Sequence, residues 1–165
     1  MKLSTRAEYG TRALVELAMH HEDPRPMMLQ TIADRQGLSK KYLEQLFILL
    51  RRAEIIEGLR GPTGGYRLAR HPSKIRMAEV IQVLEGSLAV ADCLVDQESC
   101  VKSGSCATQE IWARVTHAIE DILGSITLEE LVSRHSCALQ PLRFLPGFGG
   151  ETFHCTSHES PEKAE

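Results

Sequence analysis

Residues 28 to 70 read MLQTIADRQGLSKKYLEQLFILLRRAEIIEGLRGPTGGYRLAR. Ala33 is followed by Gly37, Leu38 and Ser39 at the spacing of a two-helix corner. A small residue lets the helices approach, glycine tolerates a left-handed turn, and serine caps the next helix. Tyr42, Leu43, Leu46 and Leu50 then recur at helical spacing. Two short apolar runs around GPTGG predict a β-hairpin with a glycine-rich tip. A hairpin placed directly after a helix-turn-helix is a wing. The same glycines do not form a phosphate-binding loop, because the G-K-[ST] ending is absent.

The flanking segments are mostly helical. Residues 5 to about 21 place Ala13, Leu14, Leu17 and Ala18 on one side, and Thr5 to Glu8 has capping-box spacing. A short helix is expected over 76–86. A longer one is expected over about 107–124, where Trp112, Val115, Ile119, Ile122 and then Ile126 recur at spacings of three and four. Few other elements remain to cover that seam, so a second copy of the chain is the simplest cover and a symmetric dimer is expected. Thr127 to Glu130 opens a further short helix. The fold class is therefore mainly α with a small β-hairpin, a winged helix-turn-helix plus a long dimerisation helix. The expected division is a DNA-binding domain over 1–86, a cysteine loop over 87–106, dimerisation helices over 107–133 and a disordered tail over 134–165.

Charge separates the same halves. Residues 1–76 carry 14 Lys+Arg against 8 Asp+Glu, a formal +6; the rest of the chain is formally −9. A basic half joined to an acidic one suits double-stranded DNA as the partner of the first half alone. The first residues of the second corner helix would face base edges: Ser39, Lys40, Lys41 and Tyr42, then Glu44 and Gln45. Glu44 can accept from cytosine and Gln45 can pair with adenine; Lys40 and Lys41 suit phosphate. Arg60 and Arg67 on the hairpin are the wing candidates, Arg60 first.

Residues 93–109 read CLVDQESCVKSGSCATQ. Cys93, Cys100 and Cys106 present three soft sulfur donors on one polar loop. The spacers of six and five residues are longer than the tight knuckles typical of structural zinc. An iron–sulfur cluster, a zinc ion or thiols without metal all remain compatible with the residues. No apolar run approaches a membrane span, and the N-terminus has no signal-peptide pattern. A cytoplasmic location is the expectation, where a disulfide framework is disfavoured. Neither a cysteine–histidine pair with a base nor a substrate motif is visible, so no enzymatic activity is expected.

The opening MKLSTRAEYG, the helix KKYLEQLF, the wing RGPTGGYRL, the three-cysteine loop and ITLEELV together resemble the Rrf-two (Rrf2) family of bacterial winged-helix regulators. The resemblance is strongest to its iron–sulfur (IscR-like) branch and spans residues 1 to about 133. It implies a cytoplasmic homodimeric transcription regulator on a palindromic operator, with a 2Fe–2S or 4Fe–4S cluster on Cys93, Cys100 and Cys106. A histidine three residues after the last cysteine completes the site in the namesake regulators; Gln109 stands there in this chain. The resemblance to the nitric-oxide-sensing branch implies Glu8, from the partner chain, as the fourth ligand. Gln109 or Glu110, a later Cys137, Cys155, His135 or His154, and an exogenous or absent ligand are the alternatives.

Overall fold

The computed structural model describes residues 4–61, 64–96, 98, 100 and 106–137. Six helices and one hairpin follow in the order α1 (Thr5–Met19), α2 (Leu29–Gln36), α3 (Lys40–Arg52), β1 (Ile56–Leu59), β2 (Gly65–Leu68), α4 (Met77–Glu85), α5 (Ala107–Ser125) and α6 (Leu128–Cys137). Helix α1 buries Ala7, Gly10, Ala13, Leu14, Leu17 and Ala18, one stripe at helical period. It crosses α4 at Gly10, where a Cβ would lie 2.5 Å from a methyl of the buried Leu84.

The cap of α1 differs from the expected capping box. Ser4 is the N-cap and its hydroxyl accepts from the Arg6 N–H at 3.1 Å. Thr5 instead lies one residue inside the helix, with its hydroxyl 3.3 Å from the Tyr42 hydroxyl. Glu8 is thereby released from any capping role. The Thr127 spacing holds: its hydroxyl accepts from the Glu130 N–H at 3.2 Å.

The corner forms as the sequence predicts. Gly37 adopts φ 64° between α2 and α3, and the Leu38 N–H reaches back to the Ala33 carbonyl at 2.9 Å. Leu43, Leu46, Phe47 and Leu50 of α3 enter the core. The hairpin pairs Ile56 with Leu68 and Leu59 with Gly65. A feature not legible in the sequence is a third strand position, Met27, which exchanges two backbone hydrogen bonds with Tyr66 at 2.8 and 2.9 Å. A Cβ on Gly65 would lie 2.4 Å from the Met27 carbonyl oxygen, so this wing requires glycine there. The hairpin tip, Pro62 and Thr63, lies outside the described residues.

The end of α3 repeats the Gly37 closure without a glycine. The Ile55 N–H donates to the Leu50 carbonyl at 3.0 Å, and Glu54 carries φ 55°. A side chain in this region costs roughly 1–2 kcal/mol, partly offset when glycine replaces it by the extra freedom of the unfolded chain. Glu54→Gly should therefore stabilise the fold by about 0.5–1 kcal/mol and raise the melting temperature by about 1–4 °C in a thermal scan.

Helix α6 does not stand apart with α5. Leu128 is fully buried in the common core, and backbone bonds from Leu128 to Ile75 and from Met77 to Ile126, both 3.0 Å, tie the α5–α6 junction to the start of α4. The helix runs through Cys137, about a turn past the point where sequence periodicity fades. Residues 138–165, with the expected tail, lie outside the described residues. No helix among the described residues is long and apolar enough to cross a membrane.

Candidate nucleic-acid interface and cysteine loop

Two surfaces are set up by this framework. The first is the outward side of α3. With Leu43, Leu46, Phe47 and Leu50 inward, Lys40, Lys41, Glu44, Gln45, Ile48, Arg51 and Arg52 are left exposed. Ser39 caps the helix, its hydroxyl accepting from the Tyr42 N–H at 3.2 Å. Tyr42 is half-buried; its ring meets Tyr9 edge-on at 6.1 Å and its hydroxyl meets Thr5. These contacts fix the start of α3 against α1, so Tyr42 braces α3. Arg12 in turn rests over the Tyr9 ring at 5.8 Å.

The cations around this face fall into two groups. Arg67 pairs with Glu57 directly across the hairpin, Arg70 with Glu79 of α4, and Arg35 with Glu16 of α1. Arg25 donates to Asp23 and holds that carboxyl down to about 2, well below the usual carboxylate range. These arginines are engaged within the fold. Lys40, Lys41 and Arg60, by contrast, make no hydrogen bond or ion pair among the described residues, and all three are exposed. Arg60 lies directly after β1, where the loop at the tip of the wing begins, and not at its base.

The second surface is built where α4 hands over to α5. Cys93 is half-buried in the short 3₁₀ turn Asp92–Leu94, Cys100 is exposed, and Cys106 is the N-cap residue of α5. None of the three is in a disulfide. The Cys106 sulfur is 3.1 Å from the Thr108 hydroxyl, and the Gln109 N–H donates to the Cys106 carbonyl. An N-cap sulfur lies at the positive end of the helix dipole, where anionic charge is favoured. In kind these donors suit an iron–sulfur cluster, which takes thiolate ligands; in number they are one short of the usual four. Among the described residues, no three side chains of His, Cys, Asp or Glu gather closely enough to share a metal ion. Glu8 is exposed on α1, and its carboxylate has no hydrogen bond or ion pair among the described residues. The side chains of His135 and Cys137, and all of His154 and Cys155, lie outside the described residues.

Beyond the loop, α5 packs on α4, and its Thr116 hydroxyl accepts from the Val90 N–H at 3.2 Å. Most of its seam does not turn toward the chain's own core, although Ile119 is half-buried and Ile126, at the end of the helix, packs against that core. Trp112 is 44% exposed, Val115 39% and Ile122 53%, and Ile111 joins the same side. At 100° per residue these positions fall within about a third of the helix circumference.

Comparison with known proteins places these features in one group. The sequence model of the Rrf2 family, described as an iron-dependent transcriptional regulator, matches residues 3–134. The HTH-type transcriptional regulator IscR of Xenorhabdus nematophila is 39% identical over 132 residues, which is 80% of this chain and 79% of that one. The solved structure of T. potens IscR is 38% identical and superposes with a TM-score of 0.70, over 87% of this chain and 95% of the other. CymR, the global cysteine regulator of B. subtilis, is 36% identical with a TM-score of 0.70, over 81% and 98%.

Proposed function

The chain belongs to the Rrf2 family of DNA-binding transcriptional regulators, and on that premise we propose that it works as a homodimer controlled by an iron–sulfur cluster on Cys93, Cys100 and Cys106. The observation that carries this reading is the place of the cysteines in the chain. They occupy the segment joining α4, which packs on α1 in the reading body, to α5, whose apolar stripe lies open. A change in that segment acts at once on where the stripe lies and on the body that presents α3.

Each chain would hold its group with three thiolates, and Glu8 of the partner subunit would supply the fourth donor. The release of Glu8 from helix capping supports that assignment. A carboxylate is a harder and more labile ligand than a thiolate, which suits a site meant to change with conditions. When bound, an iron–sulfur cluster supplies a group whose charge and integrity respond to iron supply, oxygen and nitric oxide. The chain's own part would be to fix the angle between α4 and α5, and so to set the separation of two α3 helices. Half-sites lie about one duplex turn apart, so a small rotation decides whether both readers fit.

On the duplex, Lys40 and Lys41 would hold phosphates, Glu44 and Gln45 would read bases, and Arg60 would reach the flanking backbone. Ser39 and Tyr42 would position these groups, and Arg67 would act only if its pair with Glu57 opened. A salt titration of operator binding tests this arrangement. Lys41→Ala and Arg60→Ala should each lower the slope of log affinity against log salt by about 1.8, one phosphate contact being lost from each subunit of the dimer, with sequence preference retained. Unchanged slopes in both variants would remove this face from the interface.

A second reading is favoured by the likeness to a cysteine regulator and by the absence of a gathered metal site among the described residues. In it the three thiols work without a cluster, or with zinc. The visible absorption of anaerobically purified protein separates the two: iron–sulfur protein is coloured, while zinc or plain thiols are not.

A further inference from the structure

Ile48 is the one apolar residue on the outward side of α3; its neighbours there are all charged or amide side chains. It is 42% exposed, while the core-facing positions of the same helix are filled by Leu43, Leu46, Phe47 and Leu50. The core therefore does not account for it. At 100° per residue Lys41, Ile48 and Arg52 point within about 40° of one another, opposite the buried stripe. Lys41, Glu44, Gln45 and Ile48 also form an i, i+3, i+4, i+7 set. That set is what a helix lying along the major groove presents to base edges, as in homeodomains. Three of its members are polar and the fourth is a branched hydrocarbon.

We propose that Ile48 is a specificity-determining residue that reads the 5-methyl group of a thymine in each operator half-site. The inference rests on α3 being the DNA-reading helix and adds what its third turn recognises. The major groove offers one apolar group, the thymine methyl, and apolar side chains are its recognised partners. The sec-butyl side chain of Ile48 can cover that methyl without leaving a polar group unpaired. Gln45, nearly a turn earlier on the same side, suits an adenine close by. An A·T-bearing step beneath the second and third turns of α3 is the expected core of the half-site.

The test starts from duplexes selected out of a random pool by the full-length protein. Each thymine of the selected half-site is then replaced singly by deoxyuridine, which removes only the methyl. One thymine per half-site should cost about fourfold in affinity when replaced, the value of one buried methyl-sized group. Ile48→Ser, a change at an exposed position that leaves the fold intact by circular dichroism, should bind the two duplexes equally. Equal binding of both duplexes by the wild type would overturn the proposal, as would methyl discrimination that persists in Ile48→Ser. Lys41→Ala separates the two levels. If it weakens binding to both duplexes while no methyl effect is seen, α3 still faces DNA and only the role of Ile48 fails. If Lys41→Ala is also silent, the placement of α3 on DNA fails with it.

Discussion

Replacing Val115 and Ile122 together by glutamate should leave a folded monomer and lower operator affinity by about 10²–10⁴-fold. Both side chains are already exposed in the single chain, so the intramolecular core loses nothing. What would be lost is the proposed cover of the α5 stripe by a second copy of the chain. The stripe combines Trp112, a large aromatic of the kind that anchors interfaces, with branched aliphatics at a coiled-coil repeat. Two glutamates from each subunit would place four like charges along the proposed twofold seam, and no residue three or four positions away on the same helix carries a positive charge. The magnitude follows from linkage. With two joined readers, the second half-site is engaged at an effective concentration near millimolar; a monomer loses that advantage entirely. Sedimentation of the variant should give a single-chain mass, and its circular dichroism and melting transition should show a helical fold. A dimeric variant with normal operator affinity would show that α5 is not the seam.

The second large effect concerns the loop. Substituting alanine for Cys93, Cys100 or Cys106 should abolish the visible absorption of anaerobically purified protein, because three thiolates from one chain leave no spare sulfur on the loop. Glu8→Ala should retain colour but alter the Mössbauer spectrum, since the fourth donor changes while the three sulfurs stay. An unchanged spectrum would discard the carboxylate ligand and return attention to Gln109 or Glu110, which occupy the first turn of α5. These variants should leave the melting of the reading body nearly untouched. Its core is built from α1, α2, α3, α4, Ile55 and Ile56 at the start of the hairpin, Ile75 and Leu128 of α6, and no cysteine is among these residues.

Much of this architecture is written in short-range sequence signals. Gly37, Leu38 and Ser39 announce the corner because a left-handed residue and a cap have few chemical solutions. The paired glycines of the wing are legible for the same reason, although Gly65 is needed for a partner, Met27, that no local pattern reveals. What the sequence hides is mostly non-local. Two serine or threonine residues compete to cap α1, and spacing alone favours Thr5, whereas the backbone begins the helix after Ser4. Glu54 takes a left-handed conformation where glycine would be expected, because tertiary packing of Ile55 and Ile56 fixes the turn. Helix α6 has the periodicity of an appendage to α5, yet Leu128 completes the core of the reading body. For the interface, the sequence puts Arg60 first among the wing arginines by position but does not show which of them are already paired. The structure ranks them by engagement: Arg67 already has Glu57, and Arg60 has no partner among the described residues.

Operator binding by cluster-loaded and cluster-free protein, compared anaerobically at a single salt concentration, bears most directly on control of the readers by the loop. Moving occupancy from about a tenth to about nine tenths requires roughly an eightyfold difference in affinity between the two forms. A difference of that order, or a change in which selected sequences are preferred, is the predicted result. Equal affinity together with equal preference in the two forms would contradict it.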